Sequence, residues 1–348
     1  MEAARRIIGG MFGLAEPLEK PECMPVFLKG QPLLLANARS GLAVILKALR
    51  PPRIWLPSYI CDVVVAAVGC GPSVLRFYEV GEDLNIVPDG WLDQVGQGDL
   101  LLLVDYFGFP GSGECAYRAK AQGAWVLEDA CQALLSDGMD APVDFVLYSL
   151  RKFVGVPDGG VLIQRDLAAD FKEIQLHPAP EEWWLKAFRA AILRRDFDYS
   201  KGERRWFELF RTVEGEQPFG QYAMSELTRL LLTHSFDFAE IALRRIENYH
   251  TLAEVLNRWA LYPHLPPGVV PLGFPIRIPH RDQIREALFD RQVYPPVHWP
   301  VPDAVPTEHQ ACRRLAAEIM TLPCDQRYSV EDMRWMAQVV LEAEEEWN

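Results

Sequence analysis

The sequence predicts an α/β fold: a large domain built on a mostly parallel central sheet, followed by a smaller C-terminal α/β domain. Between about residues 33 and 165, short apolar runs alternate with segments that are apolar at helical spacing, as a parallel α/β sheet requires. The run at 100–104 is apolar throughout, which is typical of a strand buried on both faces. From about residue 258 onward, proline-rich turns, a strand near 275–279 and two terminal helices indicate the smaller domain.

The elements of the large domain follow in order. Apolar residues at helical spacing predict helices at 41–49 and 60–68, a third helix at 114–122 ends at Gly123, and residues 224–256 form a long helix. Short apolar segments predict strands over 53–57, 100–104, 124–129 and 144–152. We divide the chain into an N-terminal arm (1–32), a large domain (33–240) with a helical insert at about 170–217, and a small domain (241–348).

The helical insert is the basic part of an acidic protein. A helix over 180–195 has acids in its first turn and arginines in its last, the polarity that the helix dipole favours. The stretch from Lys186 to Arg205, which includes Arg194 and Arg195, could clamp the diphosphate of a substrate or face an acidic partner. Packing of the insert on the body or on a second subunit is the simpler interpretation.

Composition excludes several classes of protein. The net charge of −13 argues against binding to nucleic acid, and no apolar run is long enough to span a membrane. Seven scattered cysteines and seven histidines show no metal-ligand spacing, so we expect reduced thiols, no metal and a cytoplasmic location.

Two strand-end residues carry the predicted chemistry. Asp129 ends one predicted strand, and Lys152 ends the next and precedes a glycine-rich turn. Ligands of open α/β sheets bind at the carboxyl ends of the strands. A lysine can form a Schiff base with pyridoxal 5′-phosphate (PLP), and a carboxylate can keep the pyridine nitrogen protonated. The pair therefore predicts a PLP site.

Four further residues fit the same cofactor. Gln132 lies one helical turn beyond Asp129, where its amide can reach a ring substituent. Ser149 can bind the cofactor phosphate through its hydroxyl. Arg39 and Ser40 precede a helix start, where backbone N–H groups bind anions. Each of these could instead make only local contacts.

Several motifs in the same order resemble the DegT/DnrJ/StrS aminotransferases, which are fold-type I PLP enzymes. Ala38–Leu42 (ARSGL) is similar to their phosphate segment, 126–133 (VLEDACQA) to their aspartate segment, and Lys152 with Gly159 and Gly160 keeps their lysine-to-glycine spacing. Further matches are at 224–227 (MSEL), 293–300 (VYPPVHWP) and 322–324 (LPC). The resemblance covers most of the chain except residues 170–217.

The resemblance implies a homodimer with shared active sites that moves an amino group from a small-molecule donor to a keto-sugar nucleotide or related ketone. An elimination or lyase reaction on PLP, and a PLP-binding regulatory protein without turnover, are the alternatives.

The chain departs from the family at three positions. Cys61 replaces a ring-stacking aromatic residue, a role open to Tyr59 or Tyr106. Gln221 replaces an asparagine that the partner subunit supplies, and Ser149 lies three rather than five residues before the lysine.

Overall fold

The computed structural model describes residues 7–16, 32–138, 141–165, 171, 174–200 and 202–347. The strands are β1 (Ile8–Gly9), β2 (Leu33–Leu35), β3 (Arg53–Pro57), β4 (Val74–Tyr78), β5 (Leu100–Val104), β6 (Trp125–Asp129), β7 (Phe145–Ser149), β8 (Gly160–Gln164), β9 (His177–Pro178), β10 (Tyr222–Ala223), β11 (Phe274–Arg277), β12 (Val293–Tyr294) and β13 (Ile319–Leu322). The helices are α1 (Ala38–Leu49), α2 (Asp62–Gly69), α3 (Gly113–Ala121), α4 (Glu181–Ser200), α5 (Arg205–Gly215), α6 (Glu226–His234), α7 (Phe238–Leu256), α8 (Arg281–Asp290), α9 (Gln310–Glu318) and α10 (Val330–Glu345).

The central sheet has nine strands in the order β4-β3-β5-β6-β7-β8-β2-β10-β9. The first five of these run parallel to one another, whereas β8 is antiparallel to both of its neighbours, β7 and β2. Every residue of β5 is buried, as expected for a central parallel strand. The predicted mostly parallel sheet is confirmed, and its register pairs Asp129 of β6 with Leu147 of β7.

Two predicted elements differ from the structure. Strand β7 ends at Ser149, and Lys152 lies in a 3-10 turn that follows it. The single long helix expected over 224–256 is two helices, because Asp237 caps a new helix by accepting a hydrogen bond from the Glu240 amide. An N-cap carboxylate satisfies one of the free amides of a first turn, so it favours a fresh start over continuation.

The C-terminal region contains its own small sheet. Strands β11 and β13 pair antiparallel, and β1 from the N-terminal segment pairs parallel with β12. Strand β1 is therefore held against the C-terminal region, while residues 1–6 and 17–31 of the predicted arm lie outside the described part. The predicted boundary at residue 240 falls in the first turn of α7, and the division into domains stays a prediction.

The helical insert consists of α4 and α5, which pack against each other. Trp183 donates from its indole nitrogen to the Val213 carbonyl at 3.0 Å, and both side chains are buried in one cluster. Arg194, one of the two arginines considered for a diphosphate clamp, is only 1% exposed, in agreement with the simpler interpretation that the insert packs on the body. It pairs with Asp198 at 2.9 Å and donates to the Gly9 carbonyl at 3.1 Å. Arg194 is a packing residue, so its proposed part in a surface clamp is wrong.

Candidate active site

A cavity of about 300 Å³ lies at the carboxyl ends of the parallel strands. It brings together five of the six predicted site residues, which are Arg39, Asp129, Gln132, Ser149 and Lys152. The strand-end rule explains the convergence of three of them, because β6 and β7 are parallel neighbours and end at the same edge.

Lys152 reaches the cavity from the turn after β7. The turn is held by hydrogen bonds from the Leu150 amide to the Gly159 carbonyl (3.1 Å) and from the Phe153 amide to the Leu150 carbonyl (2.9 Å). Gly159 has a φ of 133°, and a Cβ atom there would lie 2.7 Å from a Leu150 methyl group, so glycine is required for this close return. Lys152 makes no hydrogen bond or ion pair with any residue that the structure describes, which leaves its amine available to a ligand.

Asp129 ends β6 and contributes a carboxylate to the cavity wall. One of its oxygens accepts a hydrogen bond from the Cys131 amide at 3.1 Å, and the residue is 9% exposed. The other oxygen has no hydrogen-bond partner among the described residues. A nearly buried carboxylate with a free oxygen is suited to a cationic N–H group of a ligand.

Gln132 offers an unused donor to the same cavity. Its Oε1 accepts a hydrogen bond from the Phe107 amide at 2.7 Å, which fixes the direction of the side chain. Its Nε2 is buried and has no partner. Because buried polar groups are almost always hydrogen-bonded, this amide indicates a ligand oxygen at the cavity wall.

At the expected phosphate end of the cavity, the arginine side chains already bind other parts of the protein, which the sequence did not indicate. Arg39 donates to the carbonyls of Gln217 (3.0 Å) and Glu214 (3.1 Å), at the end of α5. Arg151, which also lines the cavity, pairs with the Glu214 carboxylate at 2.6 Å. Burial lowers the pKa of Arg39, opposed by the nearby Glu214 carboxylate. The insert therefore closes this end of the cavity through its last helical turn.

Ser40 does not reach the cavity. It is fully buried, and its hydroxyl donates to Asn37 Oδ1 at 3.2 Å. The same Asn37 oxygen accepts from the Ser40 amide at 2.9 Å, as the N-cap of α1. The structure thus uses Ser40 locally, because both its hydroxyl and its amide bond to the N-cap residue of α1.

The rest of the cavity wall includes Cys61 and the aromatic ring of Trp299. Cys61 lines it, and burial raises the pKa of this thiol to about 11. Tyr59 and Tyr106 are buried beside it and do not line it, and the Tyr106 hydroxyl donates to the Tyr59 carbonyl. Trp299 lines the cavity instead, with its ring centroid 5.7 Å from that of Tyr59.

His298, next to Trp299, also faces the cavity. Its Nδ1 lies 2.9 Å from the Thr321 hydroxyl. Burial, reinforced by the cation of Lys152, lowers the pKa of His298 to about 3. The imidazole is therefore neutral at pH 7. Neither His298 nor Trp299 is assigned a place in the site from the sequence, although both belong to the motif Pro-Val-His-Trp-Pro. No sequence signal pointed to Glu214 or Phe210, which belong to the insert.

The donor set fits PLP. A free amine, a nearly buried carboxylate, an unpartnered amide donor, a strand-end hydroxyl and two guanidinium groups surround one cavity, and each matches a different group of the cofactor. Within the described ranges, no cluster of three or more histidine, cysteine or acidic residues could hold a metal ion. No helix in those ranges is long and apolar enough to cross a bilayer.

Comparison with known proteins shows which solved structures have a similar fold. No model of a known protein family matches the sequence, and no curated protein matches it either. Three solved structures illustrate the similarity. A DegT DnrJ EryC1 StrS aminotransferase from Brucella abortus is 15% identical, with a TM-score of 0.61, over 90% of this chain and 86% of that one. PseC from Helicobacter pylori, an aminotransferase involved in the biosynthesis of pseudoaminic acid, is 15% identical, with a TM-score of 0.68, over 97% and 100%.

The third is the PLP-form of the putative sugar aminotransferase Spr1654 from Streptococcus pneumoniae. It is 11% identical, with a TM-score of 0.69, over 97% of this chain and 99% of that one. All three alignments span nearly the whole chain, so the likeness includes both the central sheet and the C-terminal region. The resemblance that the sequence motifs indicated is confirmed at the level of the fold: this chain has the fold of the DegT/DnrJ/EryC1/StrS aminotransferases.

Proposed function

We propose that the protein is a PLP-dependent aminotransferase that passes an amino group from a small-molecule donor to a keto sugar carried by a nucleotide, or to a related ketone. One observation carries the proposal. The Lys152 amine and one carboxylate oxygen of Asp129 line the same cavity, and neither has a hydrogen-bond partner among the described residues. The fold supports it, because the solved structures similar to this chain are aminotransferases.

Each residue has a separate task. When bound, PLP supplies a positively charged ring that withdraws electrons from the reacting carbon of the substrate. Asp129 would hold the proton on the pyridine nitrogen, and Gln132 Nε2 would donate to an oxygen on the ring. Ser149, Arg39 and Arg151 would bind the phosphate. Lys152 Nζ would hold the aldehyde carbon and, once released, take the proton from the substrate carbon.

The finer parts of the proposal have other support. A keto-sugar acceptor is supported by the sugar aminotransferase among the similar structures and by the sequence motifs. A homodimer with shared sites is what those motifs imply. A cytoplasmic location is supported by an acidic composition with scattered, unpaired cysteines.

Reduction with borohydride tests the central assignment. We expect the purified protein to be yellow after incubation with PLP, and borohydride to fix the cofactor onto Lys152, as located by peptide mass mapping. Lys152→Ala should lose the adduct, whereas the control Lys186→Ala, which removes an exposed lysine of the insert, should keep it. An adduct on another lysine would overturn the proposal.

The class of reaction needs a second measurement. An amino donor such as glutamate should discharge the yellow colour without any acceptor, and a keto-sugar nucleotide should restore it. Asp129→Ala should reduce the rate of this half-reaction severely, because an unprotonated pyridine is a poor electron sink. If no common amino donor changes the spectrum although PLP binds to Lys152, a lyase or a non-catalytic PLP-binding protein becomes the better interpretation.

A further inference from the structure

A second cavity of about 620 Å³ adjoins the first at Lys152. Six residues line both cavities, namely Met11, Phe12, Arg151, Lys152, Phe210 and His298. The far wall of the second cavity is built by the first turns of α5, by α8 and by β12, so it lies between the insert and the C-terminal region. A ligand in this cavity would lie next to the Lys152 amine, because Lys152 lines both cavities.

The charge of this cavity is the reverse of that of the whole protein. The chain has a net charge of −13. The charged residues that line the cavity are five cations and one carboxylate, namely Arg151, Lys152, Arg204, Arg285, Arg327 and Asp325. A basic cavity in an acidic protein attracts anions and raises their local concentration.

Apart from Lys152, which is expected to hold the cofactor, two of these cations have no counter-ion among the described residues. Arg327 pairs with Asp325 at 2.8 Å, and Arg151 pairs with Glu214 at 2.6 Å. Arg204 and Arg285 form no ion pair with the described residues. Burial and, to a lesser degree, the nearby Arg281 lower the pKa of Arg285, opposed by the Asp282 carboxylate. A partly buried cation without an ion-pair partner is costly, so the two arginines favour an anion that the described residues do not supply.

The two arginines are held by a stack of rings. The Arg204 guanidinium lies 4.4 Å from the ring centroid of Tyr294, whose ring is stacked on Phe289 at 5.2 Å. Arg285 lies 4.6 Å from the centroid of Phe289 on α8. Stacking fixes the plane of a guanidinium and leaves its N–H edges free, which is how arginine binds planar or tetrahedral oxyanions.

The N–H groups of these arginines are largely unused. Arg204 Nε is buried and has no hydrogen-bond partner. Arg285 donates from Nε to the Pro295 carbonyl at 2.8 Å, which orients the side chain, and none of its other nitrogens has a partner among the described residues. Ring packing alone would explain the stacking, but it does not explain a buried donor left without an acceptor.

We propose that Arg204 and Arg285 form an anion subsite that binds a phosphoryl or carboxylate group of the amino acceptor while its carbonyl carbon lies at Lys152. That the ligand is the amino acceptor rests on the proposed function, whereas the anion subsite itself depends only on the residues of the second cavity. The insert thereby acquires a role in substrate selection through Arg204, at the start of α5.

Calorimetric titration of the PLP-loaded protein tests the subsite. Loading with PLP fills the phosphate end of the first cavity, so added anions report on the second. Pyrophosphate and succinate are the two probes, one for a phosphoryl source and one for a carboxylate source. We expect one of them to bind, and Arg204→Gln and Arg285→Gln each to weaken it about tenfold, as the loss of one charged hydrogen-bonded contact would.

Arg211→Gln is the matched control. Arg211 lies on α5, is exposed and lines neither cavity, so this variant loses the same charge from the same helix and should bind as the wild type does. Arg204→Lys keeps the charge but not the fork of donors, and we expect binding between that of the wild type and that of Arg204→Gln. This variant decides the matter if Arg204→Gln does not fold.

The outcomes separate the two proposals. If neither anion binds the wild-type protein, the subsite is overturned, as it is by equal affinity in the Arg204, Arg285 and Arg211 variants. Tighter binding of pyrophosphate identifies a phosphorylated acceptor, and tighter binding of succinate an acidic one. If PLP does not attach to Lys152, the proposed function fails, and the same titrations on the unloaded protein with its variants still decide whether the subsite exists.

Discussion

Glu214 places a carboxylate beside the two arginines that would bind the cofactor phosphate. Its side chain pairs with Arg151 at 2.6 Å, and its carbonyl accepts from Arg39 at 3.1 Å. A phosphate entering this end of the cavity would meet a like charge and would compete for the same guanidinium groups. The sequence did not indicate this residue, and the proposed function makes its charge a determinant of cofactor affinity.

We predict that Glu214→Gln tightens PLP binding about fivefold, equivalent to ~1 kcal/mol, because it removes the competing charge and frees Arg151. Titration of the cofactor-free protein with PLP, followed by absorbance, measures the change. Glu216→Gln, which breaks only the exposed pair with Lys186 on the same helix end, should have no effect. Weaker binding in Glu214→Gln would show that Glu214 instead orients Arg151 for the phosphate.

His298 makes the stability of the folded protein depend on pH. Burial lowers the pKa of His298 to about 3, from an ordinary value of 6.5. The unfolded chain therefore binds more protons than the folded one between these two values, so stability is complete above pH 6.5 and falls as the pH decreases towards 3. The imidazole borders a cavity that water can enter, which reduces the size of the effect.

We predict that the wild-type protein loses roughly 1–2 kcal/mol of unfolding free energy between pH 7 and pH 5 through this residue. His298→Gln can keep a hydrogen bond to Thr321 without titrating, so it should lose correspondingly less over the same interval. Urea unfolding at the two pH values measures both. Identical pH dependence in the two proteins would mean that His298 is hydrated enough to titrate normally.

At the scale of elements, the insert joins three parts of the molecule. Arg194 on α4 donates to the Gly9 carbonyl of the N-terminal segment and lies 4.6 Å from the ring centroid of Trp206 on α5. The last turn of α5 in turn meets Arg39 of α1. The insert is therefore built into the wall of the cavity, and its arginines have different tasks according to whether they are buried.

We predict that Arg194→Gln costs about 3 kcal/mol of stability, because it leaves Asp198 and the Gly9 carbonyl without their buried partner. Arg195→Gln is the control: this side chain is one-third exposed, and its nearest acid is 4.0 Å away, so a change within ~0.5 kcal/mol is expected. Thermal or urea unfolding compares them. Equal stability of both variants would contradict the packing role of Arg194.

At the scale of the whole molecule, the predicted homodimer remains to be tested. Gln221, which takes the place of the partner-supplied asparagine in the sequence comparison, lies just before β10 near the edge of the sheet. Its Oε1 accepts a hydrogen bond from exposed Lys47 at 2.7 Å. Gln221 is half-buried, and its buried Nε2 has no hydrogen-bond partner among the described residues.

We predict that light scattering will give twice the chain mass of 39.5 kDa for the PLP-loaded protein at micromolar concentration. Dilution should separate the subunits and release PLP together, because the motifs imply that each subunit completes the site of the other. A stable monomer with full cofactor affinity would show instead that α5 closes the cofactor site within one chain.

The sequence by itself determined the parallel sheet, and five of the six site residues that it predicted line one cavity. Alternating apolar runs identified strands β3, β5 and β6, and the rule that parallel strands end at one edge brought Asp129 and Ser149 together, with Lys152 one turn beyond. These inferences depend on residues close to one another in the chain, where periodicity, caps and glycine turns act. The family motifs are also short stretches of sequence, so their order along the chain, including those around Lys152, was enough to indicate the fold.

Only the tertiary structure decided what closes the site. Arg194 is buried rather than exposed, Ser40 bonds to Asn37 rather than to a ligand, and Trp299 rather than Tyr59 or Tyr106 faces the cavity. The contacts of Arg39 with α5 join residues more than 170 positions apart. Such contacts leave no trace in local periodicity, because the free energy that selects them comes from burying and pairing side chains that meet only after the chain has folded.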